Sequence, residues 1–286
     1  MAEARVAIIG GSGLYQMDGL AGVKEVSPNT PYGRPSDAII LGELSGVPVA
    51  FLPRHGRGHR ISPTELPVRA NIYALKTLGV ERVISVSAVG SLKEEVHPLD
   101  LVVPDQLIDR TRQRASTFFG DGLVAHVSFA DPFCQDLSAA LADTATEVGA
   151  TVHRGGTYVV MEGPAFSTRA ESFLYRSWGA SVIGMTALPE AKLAREAEMC
   201  YAILACATDY DCWHETEEAV SVEMVITNLS KNVATSKEIV RRLLSRLSPE
   251  RTCACASALK SALITDRSAI PQATRKRLAP LISKYL

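Results

Sequence analysis

The chain has 286 residues, 47% of them hydrophobic, which allows a well-buried core in one large α/β domain or two smaller ones. Its 30 Lys and Arg residues are balanced by 31 Asp and Glu residues, for a net charge of -1. We therefore expect no nucleic-acid partner and no membrane partner, because both attract basic patches. Charged residues interrupt each apolar run, and "MAEARVAIIGG" lacks the basic start of a signal peptide. A cytoplasmic location is expected.

Short apolar runs alternate with longer amphipathic segments along the chain. The runs are rich in Val and Ile, and they predict strands at 5–11, 38–44, 47–53, 82–90, 100–106, 157–163, 181–185 and 200–210. The segments between them predict helices at 66–79, 136–149, 170–179, 188–199 and 218–247. This alternation predicts an α/β fold with a mostly parallel sheet covered by helices. Ligands of such folds bind at the carboxyl ends of the strands.

Small hydroxyls and an Arg–His pair follow several predicted strands. Ser12 lies in "GGSGLY", which matches neither a dinucleotide fingerprint nor a P-loop and is alone consistent with a simple tight turn. Arg54 offers a bidentate fork for phosphate and His55 a second donor, although an ion pair and a structural hydrogen bond would also explain them. Ser87 and Thr186 end two further strands, Thr186 with helix capping as the alternative. Together these residues predict an anion site.

The sequence "ATDYDCW" places Asp209 and Asp211 where a buried strand should end. Carboxylates are costly at the edge of a core unless they are paired. They either bind a ligand or serve structurally, as a cap or in an ion pair. Phe166, on a Gly-Pro turn, either stacks on a planar base or packs in the core.

Six cysteines lie at positions 134, 200, 206, 212, 253 and 255. No C-x-x-C pair has companion histidines, so we expect no structural zinc and no other metal site. The "CAC" sequence at 253–255 is consistent either with local packing or with a redox-active or disulfide pair.

Six motifs in order, "GGSGLY", "RHGRGH", "SAVGSL", "EGPAFSTRAES", "GMTALPE" and "ATDYDCW", resemble the 5'-methylthioadenosine phosphorylase family. This family belongs to the trimeric branch of the purine nucleoside phosphorylase superfamily. The resemblance runs from about residue 5 to about residue 248. It implies a single domain over 1–286, of nucleoside phosphorylase type, with a twisted mixed β-sheet flanked by helices. A C-terminal helical segment is expected from about 249, where the likeness is confined to some archaeal-type members.

The resemblance implies phosphorolysis of 5'-methylthioadenosine to adenine and 5-methylthioribose 1-phosphate, a step of purine and methionine salvage. Inorganic phosphate is then a co-substrate, no cofactor is expected, and the assembly is a homotrimer or a dimer of trimers. The implied phosphate ligands are Ser12, Arg54, His55, Ser87 and Thr186. The implied nucleoside contacts are Met185 at the ribose, Ala88 and Phe166 at the base, Val222 and Val225 at the methylthio group, and His126 from the neighbouring subunit. In this family asparagine is common at the position of Gly184, and arginine at that of Ala165.

The chemistry of the reaction favours Asp209 as the catalytic acid, with Asp211 tuning or orienting it. The departing purine must gain a proton on N7, and an apolar pocket and a neighbouring carboxylate would both raise the pKa of Asp209. A carboxyl group donates to N7 while its other oxygen accepts from a 6-amino group, so "DYD" favours adenine over 6-oxopurines.

Other activities remain as alternatives. Phosphorolysis of 5'-methylthioinosine, or of ordinary purine nucleosides, would differ from the implied reaction in its substrate. A nucleosidase would differ in using water in place of phosphate. A purine-binding regulator would lack catalysis altogether. A nicotinamide dehydrogenase is disfavoured because its glycine fingerprint is broken.

Overall fold

The computed structural model describes residues 2–11, 14, 17–214 and 221–286. This described part contains eleven strands and six α-helices. The strands are β1 (Val6–Gly10), β2 (Ala21–Val26), β3 (Ile39–Leu44), β4 (Val47–Pro53), β5 (Arg82–Ser91), β6 (Leu101–Val103), β7 (Gln106–Arg110), β8 (Val152–Arg154), β9 (Thr157–Met161), β10 (Val182–Gly184) and β11 (Cys200–Asp209). The helices are α1 (Val68–Thr77), α2 (Gln135–Glu147), α3 (Arg169–Ser177), α4 (Ala187–Glu196), α5 (Val222–Leu244) and α6 (Gln272–Ile282).

The strands form one mixed sheet in the order β2-β3-β4-β1-β5-β10-β9-β7, and β11 joins it by pairing with β5 and β6. Strands β1, β4, β5 and β11 run parallel, whereas β3 is antiparallel to β4 and β10 is antiparallel to β5. The α/β class and the mixed sheet are therefore confirmed. The parallel group brings the carboxyl ends of β1, β4, β5 and β11 to one edge.

Helices cover both faces of the sheet, which explains why β11 is buried along its whole length. On one face, Tyr201 and Ile203 of β11 join a core that includes residues of α1, α4 and α6. On the other face, Ala202 and Leu204 join a second core with residues of α2 and α5. Alternate residues of a strand point to opposite faces, so a strand between two helix layers must be apolar throughout.

Some elements differ from the sequence prediction. Strands β2, β7 and β8 were not predicted, because charged residues interrupt their apolar residues; all but the last residue of β2 are exposed. Helix α5 begins at Val222, where the Ser221 hydroxyl caps it by accepting from the Met224 amide at 3.2 Å. The predicted start of this helix at 218 lies outside the described residues. After α5 the chain makes short 3-10 turns before α6. Within the described ranges, no helix is both long and apolar enough to cross a bilayer.

Candidate active site

Asp209 is the last residue of β11, at the edge where the parallel strands end. The pairing of β11 with β5 shifts register between Ala207 and Asp209, so that Thr208 is an extra residue and Asp209 stands opposite Gly90. Such bulges re-aim side chains and are frequent beside active sites. The β11 bulge thus sets the position of the Asp209 carboxyl group.

Two short hydrogen bonds hold the Asp209 carboxyl group. The Asp211 amide donates to Oδ1 at 2.8 Å, and the Thr208 hydroxyl lies 2.7 Å from Oδ2. The same hydroxyl lies 3.2 Å from the Val89 carbonyl oxygen. A hydroxyl has one proton, so Thr208 either donates to the ionised carboxylate or donates to Val89 and accepts the proton of the acid form from Oδ2. The arrangement therefore accommodates the acid form of Asp209.

Burial favours the same protonated form. Asp209 is 4% exposed, and burial raises its pKa to about 6 although hydrogen bonds from Thr208 and the Asp211 amide lower it by smaller amounts; the charge of Asp211 raises it slightly. The environment thus moves this carboxyl toward neutral pH, as general acid catalysis requires. Both causes agree with the sequence analysis, but burial is the larger one.

Asp211 is also buried, and burial raises its pKa. Its backbone has a positive φ of 52°, a conformation that aspartate tolerates better than most residues. This turn places the Asp211 amide against Asp209. Asp211 therefore orients the acid chiefly through its backbone.

Gly90 of β5 gives the two carboxylates their space. A Cβ atom at this position would lie 2.9 Å from Asp209 Oδ1 and 3.2 Å from Asp211 Cβ. Contacts this short require one of the groups to move. Glycine at 90 is therefore part of the site, although it has no side chain.

Arg54 follows β4 and is buried, with its backbone amide donating to Gly10 at the end of β1. Its Nε and Nη2 donate to the two carboxylate oxygens of Glu190 at 2.6 and 3.3 Å, and Nη2 also donates to Ser85 Oγ at 2.6 Å. The fork assigned to phosphate thus faces Glu190. Nη1 donates to the Val86 carbonyl at 3.1 Å and has one further N–H for which the described residues supply no acceptor.

His55 is buried and makes a 2.8 Å hydrogen bond from Nδ1 to the Ile61 carbonyl oxygen. A carbonyl only accepts, so Nδ1 carries the proton. Burial, and then the charge of Arg54, lower the pKa of His55 to about 4, which makes the ring neutral at pH 7. Its Nε2 is then an acceptor, so neutral His55 would bind a protonated phosphate oxygen rather than act as the expected second donor.

Three buried hydroxyls lie together beside Arg54. The hydroxyls of Ser87, Thr186 and Tyr158 have no hydrogen bond of normal geometry within the described part of the chain. Burial raises the pKa of Tyr158, while Thr186, Ser87 and Arg54 are near enough to lower it by smaller amounts. Buried polar groups without partners are rare and call for a ligand. The cluster suits an oxyanion.

Tyr158 also explains why the chain has glycine at 184. A Cβ atom on Gly184 would overlap the Tyr158 hydroxyl. A larger residue at 184, such as the asparagine common in the family, is therefore incompatible with this placement of Tyr158.

The residues assigned to the nucleoside lie on the neighbouring segments. Ala88 is half-buried on β5, opposite Cys206 of β11. Phe166 is 41% exposed, so the core-packing alternative for its ring is wrong. The Met185 carbonyl accepts from Arg114 Nη1 at 2.5 Å.

The remaining residues assigned to the nucleoside are more exposed: Val222, Val225 and His126. Val222 begins α5 and is 63% exposed, and Val225 is half-buried. Asn228, on the next turn, donates to the Thr208 carbonyl at 2.7 Å and so ties α5 to the β11 bulge. His126 is exposed, and its amide donates to the Ala262 carbonyl at 2.9 Å. Ser12 lies outside the described residues.

The sequence reasoning missed three residues: Glu190, Tyr158 and Thr208. Glu190 and Tyr158 are distant in sequence from the groups they contact, so no local pattern connects them. Glu190 and Thr208 do lie inside the quoted motifs "GMTALPE" and "ATDYDCW", but a motif does not show what these side chains contact. For Gly90 a local signal exists, because a glycine in a strand often marks a bulge or a close approach.

The profile of the phosphorylase superfamily matches residues 5–245, and the chain belongs to this family. An S-methyl-5'-thioadenosine phosphorylase of Geobacter sulfurreducens is 60% identical over 99% of this chain and 100% of that protein. One of Thermosynechococcus vestitus is 58% identical over 99% of both chains.

Solved structures show the same likeness. A methylthioadenosine phosphorylase from an antarctic soil metagenomic library superposes with a TM-score of 0.94 at 53% identity, over 99% of this chain and 100% of that one. A methylthioadenosine phosphorylase from Schistosoma mansoni, in complex with adenine, has a TM-score of 0.82 at 35% identity, over 93% and 99% of the two chains.

Proposed function

We propose that this chain is a pentosyltransferase that cleaves 5'-methylthioadenosine with inorganic phosphate, giving adenine and 5-methylthioribose 1-phosphate. The observation that carries the proposal is Asp209, a buried carboxyl group at a strand end whose pKa is raised to about 6. The names of relatives at 52–60% identity over most of the chain support the same substrate.

In the proposed reaction, a phosphate oxygen forms a bond to C1' of the ribose while the bond from C1' to N9 breaks. Positive charge grows on the sugar and negative charge on the purine. Bound phosphate stabilises the first, and fixed donors in a buried site cost no reorganisation. The Ser87, Thr186 and Tyr158 hydroxyls and Arg54 Nη1 would hold the phosphate, with His55 Nε2 accepting from its O–H group. Ser12 remains a predicted ligand.

Asp209 would neutralise the departing purine by giving its proton to N7. Its second oxygen then accepts from the 6-amino group of adenine. A 6-oxo group offers only lone pairs at that position, so it would face an acceptor. The site therefore favours 6-aminopurine nucleosides, with Phe166 and Ala88 along the base.

The methylthio end of the nucleoside would lie against Val222 and Val225. The 63% exposure of Val222 in a single chain supports a pocket that another subunit completes, and exposed His126 is the group predicted to enter a neighbouring site. We propose a homotrimer, or a dimer of trimers, acting in the cytoplasm in purine and methionine salvage. The proposed reaction requires no cofactor.

A substrate panel tests the proposal. Rates are measured for 5'-methylthioadenosine, adenosine, 5'-methylthioinosine and inosine, each with and without phosphate. We expect phosphate-dependent turnover with the highest kcat/KM for 5'-methylthioadenosine. A preference for 5'-methylthioinosine or inosine would favour the 6-oxopurine alternative, and phosphate-independent cleavage would favour a nucleosidase.

The variant Asp209→Asn tests the proton donor. It should lose activity on 6-amino substrates and gain relative preference for 6-oxo substrates, because an amide can donate to the 6-oxo group. Asp211→Asn is the matched control, since it keeps the backbone amide that orients Asp209. Unchanged turnover of 5'-methylthioadenosine by Asp209→Asn would rule out this acid.

A further inference from the structure

Four cysteines from three distant parts of the chain meet at the amino-terminal end of β11. Cys134 is the residue before α2, Cys200 is the first residue of β11, and Cys253 and Cys255 lie in the C-terminal segment after α5. Their sulfur atoms all lie within 4.8 Å of one another. Cys134, Cys200 and Cys255 are buried and Cys253 is half-buried.

We propose that these four cysteines form a structural metal site that binds Zn²⁺ through four thiolates. A tetrahedral zinc site has Zn–S distances of about 2.3 Å, which separate the sulfurs by about 3.8 Å. Four sulfurs within 4.8 Å need only small shifts to reach that geometry. The Cys200 and Cys253 sulfurs are 3.3 Å apart, well beyond the ~2.05 Å of a disulfide bond.

The start of helix α2 favours a thiolate in this cluster. Binding releases four thiol protons, and the four negative sulfurs and the divalent cation leave a net charge of -2. Cys134 lies at the amino-terminal end of the thirteen-residue helix α2, where the helix dipole stabilises negative charge.

Backbone contacts hold the segments in place independently of the sulfurs. The Cys134 amide donates to the Tyr201 carbonyl at 2.9 Å, which fixes the start of α2 against β11. Arg82 Nη2 donates to the carbonyl oxygens of Ser248 and Glu250 at 2.8 and 3.0 Å, just before Cys253. The ligands are thus positioned by their surroundings, as in sites where supporting contacts orient the ligands.

The cluster lies at the opposite end of β11 from Asp209. Nine residues of strand at about 3.3 Å each separate the two by about 30 Å. A metal there cannot touch the reacting atoms, so its role is to fasten the C-terminal segment to the sheet. Structural zinc sites of this closed kind contribute directly to folding free energy.

The assignment departs from the expectation that the chain has no metal site. That expectation rested on the lack of a C-x-x-C pair with companion histidines, a local signal. Here only Cys253 and Cys255 are close in sequence, and folding supplies the other two ligands. All six cysteines are unpaired in this structure, which does not contain the alternative disulfide between Cys253 and Cys255.

Metal analysis of the whole protein tests the proposal. The chain is purified without oxygen, without a metal-affinity tag and with a reductant, and its zinc content is measured by mass spectrometry. We expect about one zinc ion per chain, a chelator-induced fall in Tm, and unchanged kcat/KM at temperatures where the chelated protein stays folded. Replacing zinc with Co²⁺ should give the intense visible bands of a tetrahedral thiolate site, a readout that needs no variant.

Matched variants locate the metal. Cys253→Ser with Cys255→Ser should lose the zinc and the chelator effect, whereas Cys206→Ser with Cys212→Ser, outside the cluster, should keep both. Wild-type protein that is folded and active without zinc, and gives no thiolate bands with Co²⁺, would overturn the proposal. So would zinc retained by the first double variant, or an intact mass showing a disulfide within the cluster.

Discussion

At the scale of single residues, Asp209 shows a conflict between stability and catalysis. A buried carboxyl group serves as an acid only because the fold disfavours its charge. The same buried environment destabilises the folded chain whenever Asp209 is ionised. Function at this position therefore opposes stability, as is common in active sites.

The first prediction follows from the sign of this shift. Burial raises the pKa of Asp209 from 3.8 to about 6, so ionisation above pH 6 costs the folded chain about 3 kcal/mol. Asp209→Asn removes that cost. We expect the Tm of the variant to exceed that of the wild type by little at pH 4. The difference should grow as the pH rises from 4 to 6 and stay constant above pH 6. Thermal unfolding across this range measures it, and an advantage independent of pH would contradict the assigned shift.

The buried hydroxyls give a second prediction. Ser87 Oγ has no hydrogen bond within the described chain, whereas Ser85 Oγ accepts from Arg54. Ser87→Ala should raise KM for phosphate by about tenfold to a hundredfold, the loss of one hydrogen bond to a charged group, without lowering Tm.

Ser85→Ala is the control for that experiment. It also removes a buried hydroxyl from β5, but it takes away the shortest hydrogen bond of Arg54 Nη2, at 2.6 Å, and leaves longer ones of 3.3 and 3.4 Å to Glu190 and the Ile9 carbonyl. It should therefore lower the free energy of unfolding by about 1–3 kcal/mol. If Ser87→Ala lowers Tm as much as Ser85→Ala while KM for phosphate is unchanged, Ser87 is structural. Arg54→Ala is a poorer test, because a lone buried Glu190 would cost about 3–5 kcal/mol.

At the scale of elements, the site depends on how β5 and β11 pair. Gly90 and the bulge at Thr208 together set the position of Asp209. Gly90→Ala should therefore displace the carboxyl group and lower kcat/KM for 5'-methylthioadenosine by about a hundredfold, the effect of a shift of about 1 Å.

Gly42→Ala in β3 is the matched control for Gly90→Ala. Its Cβ would lie 2.7 Å from Leu20 and 3.0 Å from the Ala21 carbonyl oxygen, so it should lower Tm while leaving kcat/KM nearly unchanged. Equal effects of the two substitutions on kcat/KM would show that Gly90 has no special relation to Asp209.

The same elements show what the sequence can predict. Strands such as β4 and β11 were identifiable because both of their faces are buried, which makes them continuous apolar runs. Strands β2, β7 and β8 carry charged residues and owe their conformation to their neighbours in the sheet, which local sequence does not reveal. Strand ends located Arg54, Thr186 and Asp209, whereas Ser87, predicted at a strand end, lies inside β5, which continues to Ser91. The Arg54–Glu190 pair and the Tyr158 hydroxyl result from tertiary packing.

At the scale of the whole molecule, the predicted trimer places His126 of one subunit in the site of the next. Asp209→Asn and His126→Ala should each be nearly inactive alone. Chains of the two variants, mixed and reassembled in equal amounts, should recover about one quarter of wild-type activity, because that fraction of sites has both residues intact. No recovery from reassembled trimers would show that His126 does not act between subunits.

The identity of the sugar product tests the central claim most directly. Purified protein is incubated with 5'-methylthioadenosine and inorganic phosphate, and the products are followed by ³¹P NMR alongside the release of adenine. We predict one equivalent of 5-methylthioribose 1-phosphate for each adenine released, and no adenine when phosphate is omitted. Adenine released with free 5-methylthioribose, at a rate independent of phosphate, would contradict the account.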